Sequence, residues 1–143
     1  MMSQPSERAG VAGKIDPQNG NNSTLNTDYV DMSKWHEALF IFQVGSVDNT
    51  VDCLVRESTS TSDGGGQTLS GKSATQLDSN SDNKVVVINV KAEELSAGYR
   101  YLRGRMTVGN GTTNLVSAVA LGLKPRFGPA TDDDLATVAQ VVT

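Results

Sequence analysis

"YRYLRGRMTVG", Tyr99 to Gly109, separates into two faces when read with a period of two. Arg100, Leu102, Gly104, Met106 and Val108 point one way, and this mostly apolar set is a core face. Tyr99, Tyr101, Arg103, Arg105 and Thr107 point the other way, setting flat rings beside fixed cations. That chemistry suits protein, carbohydrate or nucleic acid, and it equally suits an ordinary solvated strand face. The stretch therefore predicts a half-buried β-strand.

Its neighbours extend the same pattern. "KVVVINVK", Lys84 to Lys91, is dominated by β-branched residues and is the strongest strand in the chain. "WHEALFIFQVG", Trp35 to Gly45, sets Trp35, Leu39 and Ile41 against Ala38, Phe40, Phe42 and Val44. Apolar groups on both sides predict a central strand or one covered on both faces. In "TVDCLVRES" Val51, Cys53 and Val55 face inward. "NLVSAVALGL", Asn114 to Leu123, has the apolar density of a buried strand or a short helix. Its split into Leu115, Val119, Leu121 and Leu123 against Val116, Ala118 and Ala120 favours the strand. "AEELSAG" is too short for a free helix and reads as a single turn. Such strands, separated by Gly, Asn and Asp turns, predict an all-β domain: a single β-sandwich or small barrel, with a jelly-roll-like order among the open arrangements.

The ends read differently. Residues 1–28 are rich in Asn, Ser, Thr, Gly and Gln, with few and scattered apolar groups such as Ile15 and Leu25. This predicts an extended arm, disordered unless it is bound to a partner. The sandwich is expected over 29–128, and 129–143 is expected to be a C-terminal tail that packs on its own domain or on a neighbour.

At 143 residues the chain can bury a real core. A net charge of −4 argues against a non-specific nucleic-acid binder, which needs many phosphate-neutralising cations. The single cysteine, Cys53, allows no intrachain disulfide and reads as a small core hydrophobe. No apolar run approaches membrane-spanning length, and "MMSQPSERAGVAGK" lacks the apolar segment of a secretory signal. Assembly in a reducing cytosol is the expectation. His36 is the sole histidine, so zinc binding and histidine-dependent catalysis have little to rest on. Asp132, Asp133 and Asp134 lack the ligand spacing of a calcium loop. "TSTSDGGGQ" and "GKS" lack the spacing of a phosphate-binding loop. No enzyme activity, metal or cofactor is expected.

The segments "SKWHEALFIF", "NVKAEEL", "YRYLRGRMTVG" and "KPRFGPA" carry a resemblance that covers about Val30 to Pro129. The chain resembles a group of small tailed-bacteriophage proteins encoded among virion structural genes, and through them capsid decoration, or cement, proteins. The resemblance implies binding to the outer surface of the major capsid protein lattice, assembly in the host cytoplasm, and self-association as a dimer or trimer. It implies Tyr99, Tyr101, Arg103 and Arg105 as contact residues, with Ile15 and Leu25 on the arm. Aromatic residues and arginine are enriched at protein interfaces. Two alternatives stand beside it. One is a head–tail connector, tail-terminator or tail subunit. The other is a carbohydrate-binding module in which Trp35 and the tyrosines act as stacking platforms.

Overall fold

The computed structural model describes residues 3–143. Nine strands build it: β1 (Ala9–Asn19), β2 (Ser23–Asn26), β3 (Val30–Asp31), β4 (Trp35–Val47), β5 (Val51–Ser58), β6 (Gln67–Ser73), β7 (Val85–Lys91), β8 (Tyr101–Val108) and β9 (Asn114–Pro125). Short 3-10 turns are the only helical elements among the described residues. One sheet runs β1-β9-β4-β7. The other runs β2-β8-β5-β6, with β3 also pairing β8. Every pairing is antiparallel. The chain crosses repeatedly between the two sheets, staying in one only from β2 to β3 and from β5 to β6, and nests its later strands among its earlier ones. This is the jelly-roll order of an all-β sandwich.

Burial follows the alternation. On β4, Ala38, Phe40, Phe42 and Val44 face the interior, and Leu39 and Ile41 lie on the outer face. On β8, Leu102, Gly104, Met106 and Val108 are buried, as expected of that strand. At Gly104 the two sheets approach closely, since a Cβ there would lie 2.9 Å from the Phe42 ring. On β9, Val116, Ala118 and Ala120 are buried and Leu115 and Val119 are outside. Trp35 departs from its expected face. Its side chain is 1% exposed, and its indole lies over Gly10 and Gly122, where a Cβ would come within 2.6 and 2.2 Å of the ring. The smallness of those two residues makes the room.

At the ends, the expectation of a free N-terminal arm is corrected, and the C-terminal tail packs on its own domain. The expected 1–28 arm is not free over 9–26, because β1 and β2 are built into the two sheets. β1 pairs with β9 from Ala9↔Leu123 to Asn19↔Leu115 and contributes Ala12 and Ile15 to the core. Register shifts at Val11/Gly13 and Ile15/Gln18 break its alternation, so the period of two is invisible in the sequence. Gly10, which lies beneath the Trp35 ring, has no side chain to mark its buried position. The sandwich therefore begins well before Tyr29. The tail beyond Pro129 packs at its start: Ala130 is fully buried, Asp134 Oδ1 accepts the Val11 N–H at 2.7 Å, and the Leu135 N–H donates to the Val11 carbonyl. This covers the outer edge of β1.

At one end of the sandwich Asn114, fully buried, ties three loops together. Its Oδ1 accepts the N–H groups of Asp48 and Asn49 at 3.0 and 3.2 Å, and its own N–H donates to Asn19 Oδ1 at 3.0 Å.

Candidate functional site

Two surfaces carry the chemistry. The first is the outer face of β8. Its neighbours set Asn26 beside Arg105, Asp31 beside Tyr101 and Arg56 beside Arg103. Tyr29, from the segment between β2 and β3, joins them. The Arg103 guanidinium lies 4.6 Å above the Tyr29 ring, and the Tyr29 and Tyr101 rings meet edge to face at 6.4 Å. Arg100 lies 5.2 Å from the Tyr101 ring and binds the Asp31 carboxylate through two bonds of 2.8 and 2.7 Å. Those bonds hold the Asp31 carboxyl down at about 2. Arg105 Nε donates to Asn26 Oδ1 at 2.8 Å. Alternating cations and rings thus lock β2, β3 and β8 together.

The candidate contact residues are placed as follows. Tyr101, Arg103 and Arg105 share this face, although Arg103 is only 9% exposed. Tyr99 does not join them on the strand, because it lies in the turn before β8 and its N–H donates to the Ser96 carbonyl. Ile15 is a core residue at 4% exposure, and Leu25, opposite Met106, packs against the core. Neither is a free contact residue, because the arm that was to display them is part of the sandwich. Tyr29 was not anticipated. It lies outside any alternating run, and only the β3–β8 pairing brings its ring to Arg103.

Beside this cluster, Lys14, Asp16 and Gln18 on β1 and Asn26, Asp28 and Tyr29 across from them line an open groove of about 600 Å³. Its lining is mainly hydrogen-bonding groups with one aromatic ring. Among the described residues no group of three or more His, Cys, Asp or Glu could hold a metal ion. Cys53 is buried, and burial pushes its thiol up to about 12, so it is a packed hydrophobe rather than a nucleophile. Glu57, 1% exposed, is a structural carboxylate. Burial pushes its pKa up, but donors on Ser96 and Gln67 outweigh that and hold it below its ordinary value.

The second surface is the outer face of the β1-β9-β4-β7 sheet. Register places Val119, Ile41 and Val87 in one row across it, with Leu121 and Leu39 in the next. Val85 and Val87 on β7 are 50% and 52% exposed, and Leu115 and Val119 on β9 are 44% and 39% exposed. No described element packs over them. The face holds no aromatic side chain: Trp35, Phe40 and Phe42 are each 1% exposed.

No protein-family model matches this sequence, and no curated protein matches it. Among solved structures the fold is similar to one described as "CBM4 structure and function", at 10% identity and a TM-score of 0.46, covering 77% of this chain and 67% of that one. It is also similar to the low-affinity xylan-binding module CBM86 from the gut symbiont Roseburia intestinalis. There the identity is 16% and the TM-score 0.37, with 85% of this chain and 92% of that one covered. These likenesses concern the arrangement of strands.

Proposed function

We propose that this chain is a non-catalytic structural subunit of a tailed-phage virion, a decoration protein that binds the outer surface of the head lattice. The observation that carries the reading is the apolar outer face built from Leu39, Ile41, Val85, Val87, Leu115 and Val119 on a rigid sheet. Covering each half-exposed aliphatic side chain contributes roughly 1–2 kcal/mol, and contiguous apolar patches of this kind mark protein contacts. Tyr101, Arg103 and Arg105 of β8 are occupied in holding strands together, so the docking role passes to the opposite sheet. The phage assignment itself rests on the sequence resemblance.

The test is co-sedimentation of the purified protein with empty, expanded capsids, repeated with Val119→Lys. Saturation in proportion to the number of capsid subunits, lost in the variant, is the expected result. Binding confined to one vertex moves the protein to the connector or tail, and no binding removes the reading.

A second reading, glycan binding, is favoured by the groove of carboxylates and amides beside the Tyr29 ring. It predicts glycan-array hits that Asp28→Ala and Tyr29→Ala abolish. An array without hits disposes of it.

A further inference from the structure

The four sheet edges are not alike. β1 is broken by two register shifts, contains Pro17 and is covered by Asp134 and Leu135. The edge beside β8 is divided between the short strands β2 and β3. β6 carries Gly71 in a left-handed conformation, and its pairing with β5 slips between Leu54 and Arg56. These are the ordinary devices that blunt an edge. β7 has no bulge, proline or slip: it pairs with β4 in unbroken register from Glu37↔Lys91 to Gln43↔Val85, and the Lys72 and Glu94 side chains reach only its Asn89 and Lys91 end.

The hydrogen bonds show which backbone groups of β7 face outward. The Lys84 carbonyl accepts the Val44 N–H from β4, so the even-numbered residues bond inward. The Asn89 carbonyl instead accepts Lys72 Nζ at 2.7 Å, and the Lys91 N–H donates to Glu94 Oε2 at 2.7 Å. The odd-numbered residues therefore turn their backbone groups to the open edge, and Val85 and Val87 stand there with half-exposed side chains. An open groove of about 300 Å³, between β6 and β7, runs beside them.

We propose that β7 pairs antiparallel with β7 of a second copy about a two-fold axis at Val87, joining the two β1-β9-β4-β7 sheets into one. In that register Val87 exchanges both N–H···O bonds with its mate, and Val85 does so with Asn89 of the other copy. The Asn89 carbonyl keeps a second lone pair for Lys72. Lys91 falls opposite Asn83 and next to Asp82 of the mate. Lys84 falls opposite Val90 and points to the other face, so no like charges oppose. The two apolar outer faces then lie on the same side and meet along Val85 and Val87. The pairing itself buries only the two strand edges and the facing Val85 and Val87 side chains, and it joins the two apolar patches into one continuous face. This pairing stands whether or not the protein binds a capsid.

The experiment is sedimentation equilibrium of the full chain from about 1 to 100 μM, with Val87→Pro and Val87→Lys as variants. Proline removes an N–H that β4 does not use, so the fold is retained. Lysine sets two like charges across the axis. The wild type is expected to be a dimer and both variants monomers with unchanged far-UV circular dichroism. Amide exchange at Val85, Val87 and Asn89 is expected to slow as dimer forms. A wild-type monomer throughout, a dimer that survives both variants, or a trimer overturns the proposal, because a two-fold strand pairing closes at two copies.

Discussion

Replacing Gly122 by alanine tests whether the Trp35 pocket organises the sandwich. A Cβ at Gly122 would lie 2.2 Å from two atoms of the indole, Cδ2 and Cε2. Ordinary contact begins near 3.4 Å, so the ring must move by more than an ångström (a figure of order 1 Å) in a packed interior. Trp35 cannot give way easily, since its far edge already lies over Gly10. The backbone of Gly122 has no left-handed φ, so the penalty is steric rather than conformational. Overpacking of this severity belongs at the upper end of its range, about 3 kcal/mol. For a domain of this size that lowers Tm by roughly 6–12 °C. Trp35 is the sole tryptophan, so its fluorescence during urea unfolding reports the loss directly. In a Trp35→Ala background, itself costing about 3–5 kcal/mol, the same glycine substitution should add almost nothing, as circular dichroism would show. A Gly122→Ala cost below about 1 kcal/mol, or equal costs in both backgrounds, would refute the reasoning.

Two further outcomes are expected. Asn114→Ala strips the acceptor from the Asn49 N–H, removes a fully buried amide and loosens three loops at once. It should cost about 2–3 kcal/mol in urea unfolding, and a loss within about 0.5 kcal/mol would deny the residue its role. Asp31 is held at about 2 in the folded chain against 3.8 as its ordinary value. Its stabilising effect is therefore fully present above pH 3.8 and is lost as pH falls through about 2. The stability gap between wild type and Asp31→Asn should close across that window, and a gap that stays constant from pH 7 to pH 2 would sink the attribution.

The strands legible in the sequence are those whose alternation is unbroken. Leu102 to Val108 on β8 and Phe40 to Val44 on β4 face the core as their spacing predicts. β1 was not legible, because two register shifts erase its period and a residue such as Gly10 carries no apolar mark until Trp35 is placed above it. The β8 face was half legible. Tyr101, Arg103 and Arg105 could be read as one set, but their neighbours Tyr29, Asn26 and Asp31 come from a distant stretch of the chain.

By itself the sequence determined the local matter: an all-β chain, its main strands, their inward faces, and little histidine or cysteine chemistry to draw on. These follow from side-chain alternation and composition, which act between near neighbours. Only the tertiary structure decided the jelly-roll order, the incorporation of residues 9–26, the indole over two glycines, and which edge was left open. Each depends on pairing between residues far apart in the chain, and a period of two is the same whichever strand lies alongside.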